Sequence, residues 1–259
     1  MIVIKYGGHA LPKDGSVDPS LSVIAAEFKR GQKFVLVHGG GPQINKELSL
    51  HSIKPEMING IRVTTPEVLN IVQKVLSGDV LRNIVNQLIS LGVNAVGISS
   101  GDGATVRALK QPGELGLVGE VVEVDTRFLE ILLTEGYLPV ISPIGVSETG
   151  MGLNLNADLV AGAIGGALKA DRVLFMTDVA GIYKNYPDEA SIIKEISLSG
   201  LKEISSQFKD GMSPKVQALI HAVENGAQCS LVFDGRSAQN LETAIHQDIG
   251  TKEIGRAHV

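Results

Sequence analysis

Ile2-Val3-Ile4-Lys5-Tyr6-Gly7-Gly8 and Phe34-Val35-Leu36-Val37-His38-Gly39-Gly40-Gly41 share one design, a short apolar run that ends in consecutive glycines. A continuous apolar run bounded by turn residues reads as a strand buried on both faces, the kind found in parallel sheets. Glycines at the end of such a strand let several backbone N–H groups close on one anion, so each turn reads as part of a phosphate cradle. The first turn also carries a cation, Lys5.

Outward from these runs, helical and strand-like segments alternate. Helical periodicity covers 21–30, 42–50 and long parts of 66–92; buried strands are predicted at 33–37, 94–99, 138–142, 172–177 and 230–233. Repetition of β-then-α order implies an α/β fold, a largely parallel sheet covered by helices on both faces. From 99 to 124 the pattern changes to short apolar pieces between glycines, which read as hairpins.

A chain of 259 residues, 44% hydrophobic and 20% charged, can bury a large core. Its formal charge of −5 argues against a nucleic-acid or anionic-membrane surface. Cys229 is the single cysteine, so an intramolecular disulfide and the usual zinc-ligand spacings are excluded, and a reducing cytoplasm fits. Met1-Ile2-Val3-Ile4 is broken at once by Lys5, and no run approaches a membrane span, so a soluble protein is expected.

The standard nucleotide motifs fail. No G-x-x-x-x-G-K-[ST] sequence follows either turn, and Ile44, Val106 and Leu155 stand where the three G-x-G stretches would need a third glycine for dinucleotide binding. A serine esterase competes on strings alone. Gly97-Ile98-Ser99-Ser100-Gly101 matches G-x-S-x-G, His38-Gly39-Gly40-Gly41 could be its oxyanion loop, and His221 or His246 could complete a triad. The nucleophile elbow, however, needs a helix directly after the serine, whereas 102–108 alternates like a strand, so a strand end and tight turn is preferred.

Three further segments carry chemistry. Asn59-Gly60-Ile61-Arg62-Val63-Thr64 sets an arginine in a strand-like run, where its fork could grip a carboxylate. Asn154-Leu155-Asn156-Ala157-Asp158 offers two amides and a carboxylate before an apolar helix, where Asp158 could instead be only an N-terminal cap. Gly211-Met212-Ser213-Pro214-Lys215 places a second lysine at another helix start.

With Thr177-Asp178-Val179-Ala180-Gly181, these segments in this order resemble the amino acid kinase family from Ile2 to about Lys252. The resemblance implies a three-layer αβα sandwich of the carbamate kinase-like kind. It implies an N-terminal lobe, 1–170, for the amino acid and dimer contacts, and a C-terminal lobe, 171–259, for ATP. No linker composition marks the change near Lys169-Ala170-Asp171.

The form of 60–64 and of 154–158 resembles the branch that uses ATP to phosphorylate the side-chain carboxylate of N-acetyl-L-glutamate, the second step of arginine biosynthesis. Tyr186-Pro187-Asp188-Glu189-Ala190 is similar instead to relatives that phosphorylate a carrier-linked aminoadipate in lysine biosynthesis. On this resemblance Lys5 and Lys215 contact the phosphates and Asp158 holds both ammonium groups. Gly40, Gly41, Arg62, Asn154 and Asn156 face the amino-acid substrate. Gly7, Gly8, Thr177, Asp178, Gly211 and Met212 join the lysines on ATP, and Mg2+ arrives with the nucleotide rather than on protein ligands.

Leu81-Arg82 departs from the Asn-Lys pair of many relatives. The chain opens at its first strand, without the extra helix that joins arginine-inhibited members into hexamers, so the resemblance implies a homodimer insensitive to arginine. Glu253-Ile254-Gly255-Arg256-Ala257-His258-Val259 matches what a common sequencing adapter encodes, and no function is expected of these residues.

Overall fold

The computed structural model describes residues 1–7, 16–208 and 212–254. In chain order the elements begin with β1 (Ile2–Tyr6), α1 (Pro19–Lys29), β2 (Phe34–His38), α2 (Gly41–Leu50), β3 (Met57–Ile58) and β4 (Ile61–Arg62). Then come α3 (Pro66–Gln73), a π-helical stretch Lys74–Val80, α4 (Leu81–Ser90), β5 (Ala95–Ser99), β6 (Val106–Lys110) and β7 (Gly119–Val124). They are followed by α5 (Arg127–Thr134), β8 (Leu138–Ser142), β9 (Ile144–Val146), β10 (Gly152–Asn154), α6 (Ala157–Ala167) and β11 (Arg172–Thr177). The chain continues through β12 (Glu195–Ser197), α7 (Leu198–Ile204), α8 (Met212–Glu224), β13 (Cys229–Asp234), α9 (Ala238–His246) and β14 (Thr251–Ile254).

Among the described residues, eight strands form one sheet in the order β12-β14-β13-β11-β1-β2-β8-β5. Every neighbouring pair is parallel except β13 and β14. The two opening apolar runs are β1 and β2, side by side in register, with Ile2 opposite Phe34 and Tyr6 opposite His38. Strand alternation sends their side chains into two cores. Ile4, Tyr6, Phe34 and Leu36 pack under α1, α3, α4 and α9, whereas Val3, Val35 and Val37 pack under α5, α6 and α8. Fully burying one such side chain stabilises the fold by about 1.5–3 kcal/mol. The result is the expected three-layer αβα sandwich.

The hairpin expected between 99 and 124 is β6 paired antiparallel with β7, and it extends into a small sheet of order β10-β9-β6-β7. Of the region 66–92, residues 66–90 are helical without a break, but their middle is the wider π-helical turn, and a turn at 91–92 ends the run. The main sheet crosses the expected lobe boundary without a break, because β11 starts at Arg172 and pairs with β1. Of the seven closing residues, Glu253 and Ile254 complete β14, opposite Ser230 and Cys229 of β13; 255–259 lie outside the described residues.

Candidate active site

Strand order reverses at β1. The chain passes from β1 to β2 on one side, while β11 docks on the other. In open parallel sheets a crevice forms beyond the carboxyl ends of the strands at such a point. A cavity of about 580 Å³ lies here, lined by Lys5, Gly7, Gly39–Gly41, Arg62, Asn154–Asp158, Thr177, Asp178, Lys215, Gly235 and Arg236, among others. The two glycine turns are tied together, with the Gly39 N–H donating to the Tyr6 carbonyl at 3.0 Å. Gly40 precedes α2 with no side chain to cap it, so that helix start at the cavity rim is suited to an anion.

At the cavity wall Asp158 stands between the two lysines. Lys5 Nζ lies 3.2 Å from Asp158 Oδ1, and Lys215 Nζ lies 3.2 Å from Oδ2. The carboxylate is 6% exposed. Burial pushes it towards protonation, but the Lys5 and Lys215 charges outweigh that penalty and hold its pKa below the ordinary value.

Packing delivers these three groups from three elements. Asp158 lies in the first turn of α6, which Asn156 caps by accepting from the N–H groups of Asp158 and Leu159 at 2.8 and 3.2 Å. The cap is therefore Asn156, and Asp158 is left to face the cavity. One turn along, Gly162 meets α8, where a Cβ would come within 2.5 Å of the Ala218 carbonyl oxygen. That close approach brings Lys215, in the first turn of α8, over Asp158.

On the other side of the cavity, Arg62 projects from the β3–β4 hairpin. Its Nη2 donates to Asn45 Oδ1 at 2.7 Å, while its buried Nη1 has no partner. Burial lowers the guanidinium pKa from its usual value. A half-buried cation with an unmatched donor, facing a cavity, is arranged to receive a carboxylate. His38, by contrast, is fully buried; burial brings its pKa down to about 4, and its Nδ1–H donates to the Gly39 carbonyl, an opposing effect too small to restore it. Its ring stays neutral near pH 7.

Of the residues singled out from sequence, Lys5, Gly7, Gly40, Gly41, Arg62, Asn154, Asn156, Asp158, Thr177, Asp178 and Lys215 all line this one cavity. Gly8 and Gly211 lie outside the described residues. Met212 does not line the cavity; as the first residue of α8 it packs against the core beneath that helix.

The esterase constellation is not assembled. Ser99 ends β5 and shares hydrogen bonds with the Ser77 and Ser142 hydroxyls at 2.9 and 3.2 Å. The chain then makes a 3₁₀ turn, Asp102–Ala104, and enters β6, so the helix of a nucleophile elbow is absent there. His221 sits on α8 beside a separate hollow, and His246 lies against Glu27.

Sequence reasoning missed two parts of the cavity. Gly235 and Arg236 follow β13, and Arg236 lies on Asp234 with Nε–Oδ1 at 2.9 Å and Nη2–Oδ2 at 2.6 Å. The signal was present as Cys229–Asp234 followed by Gly235, the same strand-then-glycine pattern as the first two turns. The other is Asp18, which caps α1 through the Ser20 N–H and accepts a hydrogen bond from the Tyr6 hydroxyl. Burial, then the Asp18 charge, raise the Tyr6 pKa well above its ordinary value.

Known proteins share this architecture. The chain is 40% identical to an acetylglutamate kinase of Methanocaldococcus jannaschii, over 97% of this chain and 89% of that protein. Among solved structures, smu.665 from Streptococcus mutans UA159 superposes with a TM-score of 0.81 and 29% identity, covering 98% of each chain. Giardia carbamate kinase superposes with a TM-score of 0.72, over 98% of each chain, at 18% identity, a likeness of fold alone. The sequence pattern of the amino acid kinase family matches residues 1–234, and the chain belongs to that family.

Proposed function

We propose that this enzyme is an ATP-dependent kinase of N-acetyl-L-glutamate, forming N-acetyl-L-glutamyl 5-phosphate in the second step of arginine biosynthesis. The observation that carries the reading is the buried Lys5–Asp158–Lys215 cluster, set in one cavity with Arg62 and Asn154. The similarity to an acetylglutamate kinase over nearly the whole chain supports the choice of acceptor.

Phosphoryl transfer through a loose transition state asks mainly for alignment and for neutralisation of charge on the moving group. Two anionic substrates must meet, and the cavity supplies fixed cations to receive them. A carboxylate acceptor with a reference pKa of about 4.3 is already ionised near neutral pH, so no proton need be removed from it. In this reading Lys5 and Lys215 lie along the transferring phosphoryl group, and Asp158 fixes both ammonium groups without leaving three free charges.

Arg62 and Asn154 hold the acceptor, with Asn156 beside them and the Gly40 and Gly41 N–H groups presented to it. Gly7, Gly8, Thr177, Asp178, Gly211 and Met212 belong to the nucleotide side of the reading; Met212 acts there only through the start of α8. Magnesium enters on the ATP phosphates as part of that substrate, where such an ion keeps much of its water. Residues 1–170 serve the amino acid and dimer contacts, and the rest serves ATP, in a cytoplasmic homodimer. No described helix is long and apolar enough to cross a membrane.

Purified protein should form a hydroxylamine-trappable acyl phosphate with ATP and N-acetyl-L-glutamate. Turnover should be much lower with glutamate, aspartate, carbamate, UMP and an aminoadipate derivative. Preference for any of these would overturn the assignment of acceptor. Light scattering at twice the chain mass is expected for the dimer, and a monomer would contradict it.

A further inference from the structure

Arg62 and Asn154 reach the cavity wall from strands far apart in the sequence, and one hydroxyl joins them. Thr64 Oγ1 donates to the Arg62 carbonyl oxygen at 2.9 Å and accepts from Asn154 Nδ2 at 3.0 Å. Thr64 is fully buried and is not among the cavity-lining residues, so it cannot touch a bound molecule. A hydroxyl has one proton, and here the Arg62 carbonyl takes it. Towards Asn154 the oxygen can therefore only accept, which fixes which way round that amide sits.

The backbone is pinned from a third direction. Thr64 N donates to the Leu115 carbonyl at 2.9 Å, Leu117 N donates to the Thr64 carbonyl at 2.6 Å, and Asn154 N donates to the Leu117 carbonyl at 2.9 Å. A strap at 115–118 thus runs between Thr64 and Asn154, bridged to both. Gly116 permits the approach: its φ is +72°, and a Cβ there would collide with the Thr64 carbonyl oxygen.

We propose that Thr64 is a positioning residue for the acceptor, whose hydroxyl sets Arg62 and Asn154 relative to each other and so sets affinity for the amino-acid substrate. This rests on the functional reading above. Lys5, Asp158 and Lys215 share none of these bonds, so loss of the hydroxyl should leave nucleotide binding and the chemical step nearly intact.

Thr64→Val keeps the shape of the side chain and leaves the Arg62 carbonyl and one Asn154 N–H without their partner. KM for N-acetyl-L-glutamate should rise about tenfold or more, while KM for ATP stays within about twofold and kcat within about threefold. Thr64→Ser should restore KM to near the wild-type value. Thr64→Ala, which adds no methyl against the strap, gives the same reading if the valine variant does not fold. In an Asn154→Ala background the valine substitution should raise KM by less than it does in the wild type, because the part of its effect that runs through Asn154 is already lost.

An unchanged acceptor KM, a parallel rise in both KM values, a serine variant as poor as the valine one, or full additivity with Asn154→Ala would each overturn the inference. Wild-type protein that forms no acyl phosphate with N-acetyl-L-glutamate overturns the functional reading itself. Active wild-type protein with an insensitive Thr64→Val variant overturns only the role of Thr64.

Discussion

Replacing Glu253 with Gln should remove a loss of stability of about 3 kcal/mol that the wild-type protein suffers between about pH 4.5 and about pH 7. Glu253 sits on β14 with no exposed surface, its Oε2 accepting from Ser230 Oγ at 2.8 Å and its buried Oε1 without a partner. Burial raises its pKa from 4.5 to about 7, against the downward pull of the Ser230 hydrogen bond and Lys202 and with a small upward push from Glu224. An acid whose folded pKa is raised keeps its proton in the native state after the unfolded chain has released it. Its contribution is therefore most favourable below about pH 4.5, falls as pH climbs towards about 7, and is level above that.

A difference of roughly 2.5 units, at about 1.4 kcal/mol per unit, gives the expected loss. Glutamine does not titrate, and any cost of its buried amide is the same at every pH. For a domain of this size about 1 kcal/mol moves Tm by about 2–4 °C. The gap between variant and wild type should thus widen by about 6–12 °C from the acid to the alkaline end of the series. Thermal unfolding followed by circular dichroism at matched pH values measures the gap directly, because all other titrating groups cancel in the difference. A gap that stays flat across the series would refute the reasoning.

Lys215→Ala should keep the fold and lower turnover by about 10²–10³-fold, since a preorganised charge contributes a few kcal/mol to a transition state; undiminished acyl-phosphate formation would contradict its role. Arg62→Lys should raise KM for the acceptor more than it lowers kcat, because a point charge cannot reproduce the bidentate fork. The reverse split would place Arg62 on the phosphates. Asp158→Asn should cost stability as well as turnover, by about 3–5 kcal/mol in urea unfolding, because it leaves two ammonium groups without their shared counter-charge; wild-type stability in that variant would mean that the lysines are held by other groups.

Much of this architecture was legible in the sequence because burial on both faces leaves a plain mark. Phe34-Val35-Leu36-Val37, short, rich in valine and closed by glycines, reads as a strand covered on both sides, and those glycines announce where a ligand could approach. The lysine, carboxylate and arginine positions were legible too, through their place beside those turns and through family likeness. What stayed hidden depends on which side chains meet in space. Nothing around Asp18 announces Tyr6 as its partner, and nothing in Gly60-Ile61-Arg62-Val63-Thr64 shows that the threonine, rather than the arginine alone, reaches towards Asn154. Met212 reads as a site residue by its neighbours, and its half-buried packing against the core beneath α8 is not legible in them. Asp158 reads from sequence as a possible cap, and only the helix start, fixed to the residue, gives that role to Asn156.

The five-residue strand that bears Lys5 has neighbours made at very different times. Ile2 lies opposite Phe34 on one side and opposite Arg172 on the other. As the chain leaves the ribosome, β1 can pair with β2 almost at once, but its other edge stays open until β11 has been made. That open edge asks for protection until then, and it ties the completion of the Lys5–Asp158–Lys215 cluster to the last third of translation. A chain divided near residue 170 would yield a C-terminal piece whose β11 has lost its central neighbour. Neither piece could then assemble the Lys5–Asp158–Lys215 cluster, because Lys215 is made only in the second.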